Sequence, residues 1–291
     1  MAAFEKLLIT IGDNRKGRVQ MTPTEHYSDL GLLGRVEQGL QRAGLDSGRA
    51  TWEDFASIDQ FHVLGLISTE EMAAALNCSS ESSVLDVGCG LGGPARYLAA
   101  VRGCRVTGID LSQPFIDVAR FLTARAGLAD RIDFRQGDAL NLPFADQSFD
   151  HAWTQHVAMN IADRDALYSS IARVLKPGGR LAIYDVVAGD GSPLLFPVPW
   201  ARTPEISFLV SAQQMRDALR GAGFVELSSS DKTVAGIAWF EQQMARRVQG
   251  PPPDLGLDVV LGPEFAQMAA NLVSNLKEGR ARLLQLLAEK R

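Results

Sequence analysis

A chain of 291 residues with 46% hydrophobic and 22% charged positions can bury a full core without disulfide or metal staples. Its net charge of −5 and lack of a Lys/Arg stripe remove the phosphate attraction on which nucleic-acid binding rests, so no nucleic-acid partner is expected. Cys78, Cys89 and Cys104 form no C-x-x-C pair or metal set, no apolar run approaches the ~18 residues of a membrane span, and Glu5 and Lys6 interrupt any signal peptide, so a metal-free protein of the reducing cytoplasm is expected.

Residues 1–67 read as an N-terminal helical lid, irregular apart from an amphipathic stretch at 29–44. Ser68 and Glu71 have capping-box spacing ahead of MAAALN, so the core domain is expected to run from 68 to 291. Strands are expected at 83–88, 104–109, 131–136, 150–154 and 180–186. Helices lie between them: Gly92 to Ala100, then Pro114 to Ala126 between the cap Ser112 and the stop Gly127. A third runs from Arg164 to Leu175 and ends at the breaker Lys176-Pro177-Gly178-Gly179. This alternation predicts an α/β, doubly wound parallel sheet. Beyond a Pro-rich loop at 192–204, Ser211 and Gln214 form a second capping box for a helix to Arg220, and FVELSSSD (224–231) reads as strand six. Helices at 236–248 and 264–277 make 236–278 a helical insertion over the substrate. The leucine spacing of 280–291 fits helix as well as strand.

The segment VLDVGCGLGG (84–93) is a strand running through glycines into a helix, a shape that lets a nucleotide-like ligand lie against the main chain. Gly88, Gly90 and Gly93 satisfy G-x-G-x-x-G, so an NAD(P)-dependent oxidoreductase is one reading. Asp86 argues for another, because a carboxylate beside the loop repels a pyrophosphate and attracts a cation such as the sulfonium and ammonium of S-adenosylmethionine. Asp110, ending strand two, can accept from both ribose hydroxyls, and Asp138, after strand three, can accept from an adenine amino group.

Taken together, VLDVGCGLGG, GIDLS (108–112), GDALNLPFADQSFDHAW (137–153) and RVLKPGGRLAIYD (173–185) resemble the class I S-adenosylmethionine-dependent methyltransferases. The likeness is to small-molecule enzymes of the glycine/sarcosine/dimethylglycine and tocopherol/ubiquinone types. It implies a Rossmann-like sheet of seven strands, six parallel and the last antiparallel, and therefore a strand near 281–289. It further implies that Asp86, Gly88 and Gly90 shape the methionine side, Asp110 and Leu111 hold the ribose, Asp138 and Ala139 flank the adenine, and Gln155 joins this cofactor set. A monomer or homodimer acting on a small-molecule acceptor is expected, and a cofactor-binding protein without catalysis stays open beside the oxidoreductase.

Ligands of such sheets sit beyond the carboxyl ends of the strands, so TQHVAMNI (154–161) should face the methyl group. His156 is the candidate base there, titrating near the imidazole value of ~6.5 subject to the shifts that burial brings, and His62 from the lid is its candidate companion. Tyr27, Met159 and Trp200 are candidates for lining the acceptor pocket. Cys89 has no basic neighbour in sequence and reads as packing.

Overall fold

The computed structural model describes residues 31–46, 50–249 and 255–291, so the candidate Tyr27 lies outside the described residues. The expected strands form as β1 (Ser83–Val87), β2 (Arg105–Asp110), β3 (Ile132–Gln136), β4 (Phe149–Gln155), β5 (Leu175–Ala188), β6 (Phe224–Asp231) and β7 (Ala281–Lys290). They build one seven-stranded sheet in the order β3-β2-β1-β4-β5-β7-β6. Pairings among β1 to β5 are parallel, and β7 runs antiparallel to both β5 and β6. The last segment is a strand because it sits between two others with both faces covered. Leu283 and Leu287 join one core layer while Leu284, Leu286 and Ala288 join the other, so its apolar run need not alternate with polar residues.

The same period of two sorts the central strands. Ala182 and Tyr184 of β5 face a layer built with α3 (Leu66–Leu76), while Leu181 and Ile183 face α6 (Arg164–Val174) and α7 (Ala212–Gly221). Ahead of α3 come α1 (Leu32–Arg42) and α2 (Ala56–Asp59); between β1 and β3 lie α4 (Gly93–Tyr97) and α5 (Gln113–Arg125). Leu32, Val36 and Leu40 of α1 cluster with Phe115, Val118 and Leu122 of α5, so the lid helix is seated on the outside of the sheet's helical layer. After β6 come α8 (Thr233–Gln249), α9 (Asp258–Leu261) and α10 (Phe265–Lys277).

Three local expectations are corrected. Helix α3 begins at Leu66 with Gly65 as its cap residue, and the Ser68 hydroxyl donates back to the Val63 and Gly65 carbonyls at 3.2 and 2.9 Å. Ser68 is therefore inside the first turn, and the Ser68/Glu71 pair is not a capping box. The Lys176–Gly179 breaker does end α6, yet it lies inside β5, where the register against β4 shifts between Phe149 and His151. The helix expected over 92–100 closes at Tyr97 and continues as a wider π turn, Leu98–Arg102. The second capping box forms as expected, with Ser211 and Gln214 satisfying each other's backbone amides.

Candidate active site

At the carboxyl ends of β1, β2, β3 and β4 the chain encloses a cavity of about 500 Å³. Every described candidate residue lines it: Asp86, Gly88 and Gly90; Asp110 and Leu111; Asp138 and Ala139; Gln155, His156 and Met159; and, from outside the sheet, His62 and Trp200. Strand β1 lies between β2 and β4, so the loops following them diverge and leave the cleft open between them.

The glycine loop is bent by Gly88, whose φ of +72° suits glycine and where a Cβ would strike the Val157 side chain. Its amide and that of Cys89 both donate to the Ile109 carbonyl, at 2.8 and 3.0 Å, which clamps the loop to the end of β2. The Gly90 and Ser112 amides donate to the two oxygens of Asp110 at 3.0 and 2.9 Å. Each oxygen keeps a lone pair for an incoming hydroxyl, which is the geometry a ribose diol needs.

Asp86 is 3% exposed, and its Oδ2 has no hydrogen-bond partner among the described residues. Burial pushes its carboxyl up to about 8; the Trp153 indole opposes this and the Asp110 charge adds to it. Both polar ends of the Gln155 amide are likewise buried without a partner. Buried polar groups are rarely left unpaired, so these atoms call for a ligand that brings a cation and hydrogen-bonding groups. The amino-acid end of S-adenosylmethionine fits them. Asp138 directs Oδ1 to the Leu140 amide at 2.9 Å, which holds the carboxylate at the mouth of the pocket beside Ala139.

Two histidines face each other across the inner wall, with ring centroids 6.1 Å apart. His156 has a φ of +54°, and its amide donates to the Tyr184 carbonyl at 2.7 Å, which holds this unusual backbone in place. Burial, reinforced by His62, pushes its imidazole well down, while burial takes His62 to about 4. The expected titration near ~6.5 is therefore corrected: both rings are neutral at physiological pH. The Cys89 thiol is pushed well up by burial, which leaves it an unreactive packing group.

Sequence reasoning missed the groups that hold this site together. Arg96 of α4 meets Asp59 of α2 at 2.7 Å, with side chains 0% and 1% exposed, and donates also to the Leu91 carbonyl at 2.8 Å and the Thr123 hydroxyl at 2.9 Å. One guanidinium thus joins the lid to the glycine loop and to α5. Asp185, fully buried in β5, accepts from the Ala158 amide at 2.7 Å and so fixes the loop carrying Met159. The one signal available in the sequence was a charged residue inside each of two apolar runs, PARYLA and LAIYDVV.

Residues 85–183 match the family described as a methyltransferase domain. The O-methyltransferase resE of Aspergillus sclerotiorum is 34% identical over 204 residues, which cover 68% of this chain and 76% of that protein. Methyltransferase GfsG of Streptomyces halstedii is 44% identical over 136 residues, 47% of this chain; the chain spans about half, 49%, of that relative's length. The crystal structure of the [4+2]-cyclase SpnF superposes with a TM-score of 0.65 at 28% identity, covering 93% of this chain and 97% of that one. Phosphoethanolamine N-methyltransferase 2 of Haemonchus contortus, with a TM-score of 0.68 at 20% identity over 94% of this chain and 58% of its own, shares the fold. Among the described residues no helix is long and apolar enough to cross a membrane, and no cluster of His, Cys, Asp or Glu is placed to hold a metal ion.

Proposed function

This chain belongs to the class I S-adenosylmethionine-dependent methyltransferases, and we propose that it methylates a small, uncharged, largely apolar acceptor. The observation that carries this reading is the polarity of the cavity. Its carboxylates include Asp86, Asp110 and Asp138 at the strand ends, its far wall is built from Met159, Trp200, Trp239, Phe240, Phe265 and Leu272, and no described lining residue is Lys or Arg. A phosphorylated acceptor, or the pyrophosphate of NAD, would be desolvated there with no cation to meet it. An apolar acceptor loses nothing.

When bound, S-adenosylmethionine supplies an electrophilic methyl group. Asp86 and Gln155 receive its amino-acid end, Asp110 and Leu111 the ribose, and Asp138 and Ala139 the adenine edge. Phe61, His62 and Val63 of the lid, with Trp239, Phe240 and Phe265 of the insertion, cover the acceptor and exclude water, so that acceleration comes mainly from holding acceptor and methyl in line. Oxygen is the favoured acceptor atom, since resE, three-quarters of which this chain covers, bears the name of an O-methyltransferase. The protein works in the cytoplasm as a monomer or homodimer.

A second reading has a specific observation behind it: the [4+2]-cyclase aligns over nearly the whole chain. On that reading the pocket holds the cofactor and shapes a reaction in which no methyl moves. Incubation of the protein and methyl-labelled S-adenosylmethionine with a small-molecule extract separates the two. Label is expected in the organic-extractable fraction; tight binding of S-adenosylhomocysteine with no label moved would favour the second reading, and binding of NADH alone would sink both.

A further inference from the structure

The neutral ring of His62 is held in one tautomer by its surroundings. Its Nε2 lies 3.0 Å from the Gly65 carbonyl oxygen and 3.1 Å from Thr69 Oγ1. A carbonyl only accepts, so Nε2 must carry the ring hydrogen. The Thr69 hydroxyl points the same way, because it donates to Gln60 Oε1 at 2.7 Å and so presents a lone pair, not a hydrogen, to the ring. Gln60, His62 and Thr69 are all buried, which makes this chain of hydrogen bonds costly to rearrange. Nδ1 is left bare, no described group hydrogen-bonds to it, and His62 lines the cavity. His156 has no comparable anchor: its Nε2 is buried without a partner.

Resting on the methyl-transfer reading, we propose that the acceptor group is a hydroxyl whose proton passes to Nδ1 of His62, with Thr69 and Gln60 as positioning residues that keep this nitrogen bare. As the bond from acceptor oxygen to methyl carbon forms, the carbon–sulfur bond breaks and its electron pair stays on sulfur. The hydroxyl proton moves to Nδ1 and leaves to water once the product has gone, restoring the neutral ring. An amine acceptor suits the site less well. It arrives as an ammonium ion, which has no lone pair to offer the methyl until it has shed a proton, and Nδ1 of a single ring takes up one proton per turnover.

The lock is read directly by nitrogen NMR of ¹⁵N-histidine-labelled protein without acceptor, the His62 signals being identified by their loss in His62→Asn. Wild-type protein near neutral pH is expected to show a protonated Nε2 and a bare Nδ1. Gln60→Leu frees the Thr69 hydroxyl to donate to Nε2 and should populate the opposite tautomer; adding Thr69→Val removes that donor and should restore the wild-type signals. A wild-type Nδ1 that carries the hydrogen overturns the proposal. In the labelled-methyl assay His62→Asn should lower the rate by ~10²- to 10⁴-fold with unchanged affinity for S-adenosylhomocysteine. Full transfer by that variant also overturns it. If the tautomer is as described but wild-type protein moves no label, the methyl-transfer reading fails and this step fails with it.

Discussion

Binding of S-adenosylhomocysteine is expected to expel a proton from Asp86. In the unliganded protein this carboxyl is held up to about 8, chiefly by burial, and its Oδ2 is without a partner. At about pH 7 such a group is roughly nine-tenths protonated. The ligand's ammonium, arriving beside Oδ2, favours the charged form and returns the group toward the ordinary carboxylate range, so close to one proton, ~0.9, must leave per ligand bound. The sign follows: affinity rises with pH by about tenfold per unit until the carboxyl has ionised near 8, and levels off above it. Titration calorimetry in phosphate and in Tris, whose ionisation heats differ, counts the proton from the difference in observed enthalpy. Asp86→Asn should bind more weakly and abolish that difference. Equal heats in the two buffers at neutral pH, or undiminished release from the Asn variant, would show that Asp86 does not receive the ammonium.

Other expectations follow from the same geometry. Asp110→Ala removes hydrogen bonds to both ribose hydroxyls, charge-assisted bonds worth ~1.5 to 3 kcal/mol, and should weaken S-adenosylhomocysteine by about 10- to 150-fold in a folded protein; unchanged affinity would place the ribose elsewhere. Arg96→Met leaves Asp59 buried and unpaired, at a cost of about 3–5 kcal/mol and roughly 5–10 °C in melting temperature, much of which Asp59→Asn in the same chain should restore. Melting of the single variant at the wild-type temperature would contradict the burial of this pair. At saturating cofactor the transfer rate should be flat from about pH 6 to 8, because burial takes His62 to about 4 and holds His156 well below the usual imidazole value; an inflection near ~6.5 would mean that the base is a different, exposed group. Asp59 and Asp185, both raised to about 6 by burial, bind protons more tightly folded than unfolded. Their stabilisation is complete below about pH 4 and is lost as pH rises through about 6, with Asp86 extending the loss to about 8. Below about 6.5 the two buried histidines, held down, act in the opposite direction, so the clean window lies above it: the unliganded melting temperature should fall from about pH 6.5 to 8 as Asp86 ionises, and a steady rise there in scanning fluorimetry would refute the assignment.

The parts of this molecule legible in its sequence are those written locally. A strand–glycine–helix pattern, two N-caps at Ser112 and Ser211, and a carboxylate at or near the end of each of the first three strands locate the cavity without any tertiary information. What escaped depends on partners far along the chain. Asp59 and Arg96 are 37 residues apart, and although a charge inside PARYLA hints that Arg96 is buried, nothing near it names Asp59 as its partner. Ser68 shows the opposite error: its spacing to Glu71 is that of a capping box, but the turn through Leu64 and Gly65, both with positive φ, starts the helix early and spends the hydroxyl on backbone carbonyls. The ionisation of His156 is hidden from the sequence for a related reason, since its residue type is visible there but its depth is not.

The position of β7 bears on how the chain is made. This strand lies between β5 and β6, yet it follows both in sequence. Until Ala281–Lys290 has been synthesised, β5 presents an unpaired edge along Arg180–Ala188, and β6 has no neighbour to dock against. At roughly 5–20 residues per second, the stretch separating Ala188 from Ala281 keeps that edge open for several seconds on the ribosome. Such an edge is a template for pairing with another nascent chain. The apolar strand β5 is thus the segment from which misassembly would start, and a chaperone that shields it, or a variant that slows its pairing with strangers, would act before the active site exists.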